Sequence, residues 1–117
     1  MYRLIATDVD GTLLDDESRM PPLNREALLQ CRKRGIEVIL ATGKTMASIK
    51  DLVAELGLKL PQVTLNGSMT VSPDMKVVRA SRIDPGIYSD VIGFIKENGY
   101  PPVVAMDDGK LYAEELH

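Results

Sequence analysis

The stretch from Leu4 to Leu14, LIATDVDGTLL, constrains the fold of this chain more than any other part of the sequence. A short apolar run leads directly into Asp8 and Asp10, and Gly11 follows at once. Such a run is typical of a strand that is buried on both faces, and an Asp-Gly step indicates a turn of the backbone. The two carboxylates are therefore expected where a buried strand reaches solvent.

The spacing of Asp8 and Asp10 points to a bound cation. At a separation of about 5 Å and an effective dielectric constant of about 20, two ionised carboxylates repel each other by about 3 kcal/mol. A site that keeps both groups ionised therefore needs a positive charge beside them. The pattern predicts a metal-assisted pair of aspartates that act as nucleophile or acid.

The composition predicts a globular domain and argues against several classes of protein. The 117 residues are 44% apolar and 26% charged, which is the balance of a folded rather than a disordered chain. The net charge of -3 gives no basic surface for nucleic acid, and the single cysteine cannot form an intrachain disulfide. We find neither a signal-peptide core nor an apolar run of membrane-spanning length, so we expect a cytoplasmic protein without membrane partners.

The segment between Asn24 and Gly35 has the pattern of a helix. Apolar residues at helical spacing line one face, Asn24 stands at the expected N-cap and Gly35 at the expected stop. Pro21 and Pro22 precede this segment and predict a loop there. Cys31 lies on the apolar face, so we expect a core residue rather than a reactive thiol.

A second apolar run, from Ile36 to Ala41, ends at Thr42, Gly43 and Lys44. Strand, helix and strand form a crossover unit, which places the two strands parallel and brings both of their ends to one edge of the sheet. Open parallel sheets bind ligands at that edge. Thr42 can offer a hydroxyl and Gly43 a backbone N–H to an oxyanion there, next to the positive end of the following helix. The alternative is that Thr42 only ends a strand and Thr45 only caps a helix.

A third short strand is predicted from Val63 to Leu65, and Asn66 and Gly67 follow it. Asn-Gly is usually a simple turn. A third strand end at the same edge could equally bring Asn66 close to a substrate. The sequence leaves both interpretations open.

A change of pattern predicts two structural units. Residues 68 to 82 alternate weakly around a Pro-Asp turn, as in a hairpin, and the crossover pattern does not return. We therefore expect a core unit over residues 1–82 and a second unit over residues 83–117.

The second unit is predicted to contain a helix with a buried apolar face and a hairpin. Asp84 followed by proline is a strong helix start, and a hairpin is expected from Val103 to about Glu114. Asp107 and Asp108 could suggest a metal site, but an Asp-Gly step between two strand-like runs favours a hairpin turn.

Three motifs of the chain resemble those of the haloacid dehalogenase superfamily. They are DVDGTLL at Asp8 to Leu14, ILATGKT at Ile39 to Thr45, and TLNGSMT at Thr64 to Thr70. Within the superfamily the sequence is similar to the Cof-type phosphatases with an α/β cap. The resemblance implies an α/β fold: a partial Rossmann-like parallel sheet, made of the first three strands of the family core, and the start of an α/β cap subdomain.

The resemblance also implies a role for each candidate residue. Asp8 matches the nucleophile and Asp10 the general acid and base, while Thr42 matches the residue that binds the transferring phosphoryl group. Magnesium would be held by the side chain of Asp8 and the backbone carbonyl of Asp10. Further candidates for contact with phosphate or substrate are Gly43, Lys44 and Asn66.

The implied function is a magnesium-dependent phosphatase of small phosphorylated metabolites that works through an aspartyl-phosphate. A carboxylate can attack phosphorus in line and split hydrolysis into two easier steps. A second carboxylate can protonate the leaving alcohol and then activate water. Magnesium offsets the repulsion between carboxylates and phosphate.

One departure from the family pattern leaves an alternative function open. Relatives carry a later lysine and an acidic motif that complete the site, and this sequence matches neither. We therefore expect a fragment or one part of an assembly, or a catalytically incomplete module that binds phosphate or a protein without turnover. The first strand, central in the family sheet, would then have an unpaired edge through which two copies could associate.

Overall fold

The computed structural model describes residues 1–114 of the chain. The chain divides into two compact units, Met1–Ala80 and Ser81–His117. This division lies beside the boundary expected after residue 82. The last residues of the predicted second unit, 115–117, lie outside the described residues.

The first unit begins with a crossover of strand, helix and strand. Strand β1 (Leu4–Thr7) and strand β2 (Glu37–Leu40) pair in parallel, and helix α1 (Pro22–Lys33) connects them. Helix α2 (Met46–Glu55) follows β2. The predicted parallel pair is confirmed, and it places the ends of both strands at the same edge.

The third strand joins this pair in a different way. Strand β3 (Gln62–Thr64) lies beside β2 through one parallel bridge, Ala41 to Val63. Its regular ladder is antiparallel, with strand β4 (Met69–Val71), which in turn pairs with strand β5 (Val77–Ala80). The hairpin predicted within residues 68 to 82 is confirmed.

The buried side chain of Gln62 connects β2 to β3. Its Oε1 accepts a hydrogen bond from the Leu40 N–H at 2.6 Å, and its Nε2 donates to the Leu60 carbonyl at 2.6 Å. Gln62 has no exposed surface. Because a buried backbone N–H needs an acceptor, this side chain supplies the bond that a longer strand would have given.

The core of the first unit lies against one face of β2. Val38 and Leu40 are fully buried, and α2 packs its apolar stripe into the same cluster. That stripe consists of Met46, Ile49 and Val53. By contrast, Leu4 of β1 is 49% exposed, so the expectation of a first strand buried on both faces is wrong. The reason is that α1 packs on β2, while β1 pairs only with β2 among the described residues.

Helix α1 begins earlier than predicted. Pro21 is the N-cap and Pro22 is the first helical residue, so the proline pair starts the helix instead of excluding it. Proline suits this position because its φ is already helical and the N–H that it lacks would have no partner there. Asn24 is not the cap, since its Nδ2 donates to the Leu13 carbonyl at 3.1 Å. Cys31 is half-buried, in line with a packing role.

The second unit has the predicted elements but not the predicted burial. Helix α3 (Pro85–Glu97) starts at Asp84, whose carboxylate accepts from two backbone N–H groups of the first turn. Strands β6 (Val103–Ala105) and β7 (Leu111–Ala113) form the hairpin. The expected buried face of α3 is wrong for this unit: Ile87 is 59% exposed, because the described residues of the unit form no enclosed core.

The acidic turn of this hairpin is held by its own hydrogen bonds. Asp108 accepts from the Tyr112 hydroxyl and from the Lys110 N–H. The bond from Tyr112, with the second bond from Lys110, lowers the pKa of Asp108, and the same contact raises the pKa of Tyr112. These hydrogen bonds favour a hairpin turn over a metal site at Asp107 and Asp108.

No helix among residues 1–114 is long and apolar enough to cross a membrane.

Replacement of Gln62 by leucine tests the connection between β2 and β3. We expect Gln62→Leu to lower the free energy of unfolding by about 1 to 3 kcal/mol, because the buried Leu40 N–H loses its acceptor. Urea denaturation followed by circular dichroism measures this change.

Gln30→Leu is the matched control, since the exposed Gln30 side chain donates only to Glu26 on the surface of α1. It should change stability by less than about 0.5 kcal/mol. Equal effects of the two substitutions would contradict the assigned role of Gln62.

Candidate active site

Asp8 and Asp10 lie in a tight turn directly beyond β1. The carbonyl of Val9 accepts from the N–H groups of Thr12 and Leu14 at 3.3 and 2.9 Å. Gly11 has a φ of +71°, which residues with a β-carbon rarely adopt. Val9 is buried between two exposed aspartates, so the turn is anchored in the core while both carboxylates face solvent.

The loop after β2 is fixed to the loop after β3 by backbone hydrogen bonds. The Thr42 N–H donates to the Val63 carbonyl at 3.0 Å, and the Asn66 N–H donates to the Thr42 carbonyl at 3.0 Å. The Leu65 N–H donates to the Lys44 carbonyl at 3.1 Å. The parallel alignment of β2 and β3 therefore continues past both strands and holds the two loops side by side.

Gly43 and Asn66 lie in close contact across these loops. A β-carbon on Gly43 would stand 2.9 Å from Oδ1 of Asn66, so only glycine fits without a shift of the asparagine. Asn66 has a φ of +56°, and Leu65 before it has a φ of +49°. Asparagine tolerates the left-handed region and leucine rarely adopts it. Such conformations persist where the surrounding contacts impose them, and functional sites are a common place for them.

Residues from three strand ends line one open cavity of about 350 Å³. Its lining residues are Asp8, Ala41, Thr42, Gly43, Val63, Asn66 and Gly67. Four of the predicted site residues thus share one cavity, whose volume is typical of a site for a small molecule. Asp10 and Lys44 lie outside this lining and form an ion pair, with Nζ of Lys44 3.1 Å from Oδ1 of Asp10.

Two donors at the end of β2 are available to an anion. The buried Thr42 accepts the Lys44 N–H at its Oγ1, at 3.1 Å, which leaves its hydroxyl hydrogen to donate. The Gly43 N–H has no acceptor among residues 1–114. Thr45 caps α2 by accepting the Ser48 N–H at 3.3 Å, as one interpretation of the sequence predicted. The positive end of α2 lies next to both donors.

One oxygen of Asp8 is available for chemistry. Its Oδ2 accepts from the Thr12 hydroxyl at 3.3 Å, and no other donor within residues 1–114 contacts the carboxylate. A carboxylate held at one oxygen can present the other to an electrophile. The arrangement suits nucleophilic attack from Asp8 into the cavity.

The donor set beside Asp8 fits magnesium in its chemistry. The carboxylate of Asp8 and the backbone carbonyl of Asp10 are hard oxygen donors, and Mg²⁺ typically takes one or two carboxylates and keeps several waters. Within the described part of the chain, no group of three or more His, Cys, Asp or Glu side chains forms a closed metal cage.

Comparison with known proteins places the chain in a family. The model of the haloacid dehalogenase-like hydrolases matches residues 5–116. The chain belongs to this family. The mixed α/β fold with a parallel strand pair is in line with that membership.

The chain is similar to two proteins that are named phosphatases. It is 30% identical over 98 residues to Phosphatase YwpJ of Bacillus subtilis, which covers 84% of this chain and 34% of the relative. It is 30% identical over 111 residues to pyridoxal phosphate phosphatase YbhA of Escherichia coli, which covers 94% of this chain and 41% of the relative. The chain thus spans well under half of the length of these relatives.

Solved structures show the same fold. A haloacid dehalogenase-like hydrolase from B. subtilis matches with a TM-score of 0.78 and 25% identity, over 98% of this chain and 40% of that one. A phosphatase of the same superfamily from Bacteroides thetaiotaomicron matches with a TM-score of 0.84 and 23% identity, over the whole of this chain and 43% of that one. At 23% identity, the similarity to the B. thetaiotaomicron structure shows a shared fold and nothing more.

Sequence reasoning missed two features of the site. Gly67 lines the cavity, although the sequence analysis named only Asn66 of this Asn-Gly step as a candidate. The ion pair between Lys44 and Asp10 was also missed, because the sequence placed Lys44 with the substrate. The order of residues along the chain could not show either contact, since both depend on where two loops meet.

Replacement of Gly43 by alanine tests the contact with Asn66. We expect Gly43→Ala to lower the free energy of unfolding by about 1 kcal/mol or more, because the new methyl group overlaps the asparagine side chain. In an Asn66→Gly background the same change should cost less, since the obstructing side chain is gone. Urea denaturation of the four proteins gives the coupling.

Gly93→Ala in α3 is the control, since a β-carbon there meets nothing within 4 Å. It should leave stability unchanged or raise it by up to about 1 kcal/mol. Additivity of the two substitutions within about 0.3 kcal/mol would rule out the contact.

Proposed function

We propose that this chain carries the nucleophile and phosphate-binding residues of a magnesium-dependent phosphatase. The substrate class is small phosphorylated metabolites, and the reaction is hydrolysis of a phosphoric monoester through an aspartyl-phosphate. The observation that carries the proposal is the cavity that Asp8 shares with Thr42 and Gly43. Membership of a hydrolase family and similarity to named phosphatases support it.

In the first step Asp8 attacks phosphorus with its free Oδ1. A bond from carboxylate to phosphorus forms while the bond from phosphorus to the ester oxygen breaks. The Thr42 hydroxyl and the Gly43 N–H donate to the phosphoryl oxygens, which gain charge in the transition state. Asp10 gives its proton to the leaving oxygen, so an alcohol departs instead of an alkoxide.

In the second step water replaces Asp8 on phosphorus. Asp10, now a carboxylate, removes a proton from that water, and the acyl phosphate breaks to release phosphate and restore Asp8. Magnesium, held by the Asp8 carboxylate and the Asp10 carbonyl, would supply positive charge between carboxylate and phosphate. Asn66, against Gly43 at the cavity wall, would limit the space open to the substrate.

A second candidate function is binding of phosphate without turnover. Two observations favour it: the described residues contain no group of three or more His, Cys, Asp or Glu side chains that could hold a metal, and the Lys44 ammonium is paired with Asp10. Binding of inorganic phosphate separates this candidate from an active enzyme.

Three further expectations belong to the proposal. The motifs at the ends of β1, β2 and β3 favour the Cof-type branch of the family. We infer a cytoplasmic location from the sequence. We also propose that two copies associate through the open edge of β1, where Ala6 is exposed and Leu4 is half-exposed.

Hydrolysis of p-nitrophenyl phosphate in the presence of magnesium tests the proposed activity. We expect turnover that Asp8→Asn reduces by at least about a thousandfold, because an amide cannot form the covalent intermediate. Asp16→Asn, a change of the same kind at an exposed loop residue, should leave the rate unchanged.

The second candidate predicts a different result. The chain would then show no turnover but would bind inorganic phosphate in calorimetry, and Thr42→Ala would weaken that binding. If the chain neither hydrolyses the ester nor binds phosphate with magnesium present, both functions are wrong for it.

Association through β1 predicts a mass that depends on concentration. Light scattering at high concentration should show a dimer, and Ala6→Pro should shift the equilibrium towards the monomer because proline removes a donor from the open edge. A well-dispersed monomer at every concentration would contradict this part of the proposal.

A further inference from the structure

The ion pair between Lys44 and Asp10 is the closest charged contact at the candidate site. Nζ of Lys44 lies 3.1 Å from Oδ1 of Asp10, and the two side chains are 39% and 51% exposed. We propose that Lys44 is a positioning residue that orients the carboxyl group of Asp10 for proton transfer. This inference rests on the proposed phosphatase function and changes the role of Lys44 from the phosphate contact expected from the sequence.

The backbone of Lys44 is held rigidly from two sides. Its N–H donates to Oγ1 of Thr42, and its carbonyl accepts from the Leu65 N–H. The capping residue Thr45 and the first turn of α2 follow at once. The ammonium therefore extends from a fixed point at the end of β2 to the turn beyond β1.

The cavity offers donors for a phosphate other than Lys44. The lining of the cavity includes Asp8, Thr42 and Gly43 and does not include Lys44. The hydroxyl of Thr42 and the N–H of Gly43 remain as donors there. The ammonium is instead paired with the carboxylate that faces the leaving group in the proposed reaction.

The contact distinguishes the two oxygens of Asp10. The Lys44 ammonium is paired with Oδ1, so we assign to Oδ2 the proton that goes to the leaving ester oxygen and the proton that is later taken from water. The same orientation serves both steps, because Oδ1 can accept from the ammonium whether or not Oδ2 is protonated. Half-exposed pairs add little to folding stability, so removal of this pair should act on the reaction and not on the fold.

The dependence of the rate on the leaving group tests this role. An alkyl phosphate needs a proton on its leaving oxygen, whereas p-nitrophenolate departs without one. We expect Lys44→Met to lower kcat by about tenfold or more for an alkyl phosphate such as glycerol phosphate and by less than about threefold for p-nitrophenyl phosphate. KM for both substrates should change by less than about twofold, because no contact with the phosphate is lost.

Four variants make the result specific to Lys44 and Asp10. Lys44→Arg should restore most of the rate with the alkyl substrate, since a guanidinium can hold the same oxygen. Asp10→Asn should show the same dependence on the leaving group, and adding Lys44→Met to it should have little further effect. Lys50→Met, at an exposed residue of α2, is the matched control.

A Lys44→Met variant that loses activity equally with both substrates and binds phosphate more weakly would overturn the inference. A contact of Lys44 with phosphate predicts a rise in KM, weaker binding of inorganic phosphate and equal losses for both substrates. If the wild-type chain turns over neither ester, the proposed function has failed. The ion pair is then tested by the ¹⁵N resonance of the Lys44 ammonium: a shift on Asp10→Asn but not on Asp16→Asn supports the pair, and no shift overturns it.

Discussion

The hydrogen bonds between the loops that follow β2 and β3 are the constraint on which the candidate site depends. Two backbone bonds join these loops, a third joins Thr42 to Val63 of β3, and the side chain of Gln62 adds a fourth connection just before them. None of these bonds is part of a regular ladder, since β2 and β3 share only one parallel bridge. They nevertheless fix Gly43 against Asn66 and leave the Gly43 N–H without an acceptor in the described chain. The donors for an anion are therefore arranged before any ligand arrives.

The two aspartates depend on a separate anchor. Val9 is buried between them, so the core holds the turn while both carboxylates remain in solvent. Parallel pairing of β1 with β2 then brings this turn to the edge where the β2 loop ends. At this edge the two carboxylates have different neighbours, since Asp8 lines the cavity and Asp10 forms an ion pair with the Lys44 ammonium. Two chemically identical groups thereby receive different environments, which is the usual basis for different roles in catalysis.

Much of this arrangement could be predicted from the sequence. The apolar run before Asp8 and the crossover to Thr42 are local patterns, and each placed an element correctly. Errors came where burial depends on neighbours distant in the sequence. The first strand and helix α3 are more exposed than their apolar composition suggested, because composition does not show which elements cover a face. The start of α1 was missed because two prolines were interpreted as a loop, although one of them fits the first helical position.

The sequence by itself determined the residue types of the site, the strand ends that carry them and the family to which the chain belongs. Those properties depend on short motifs and on the period of the apolar pattern, which are local. Only the tertiary structure decided which side chains meet: Asn66 packs on Gly43, and Lys44 pairs with Asp10 instead of lining the cavity. Contacts of this kind depend on the distance between loops and on backbone conformations such as the left-handed Leu65 and Asn66. Their positions follow from the packing of the whole unit and not from neighbouring residues in the chain.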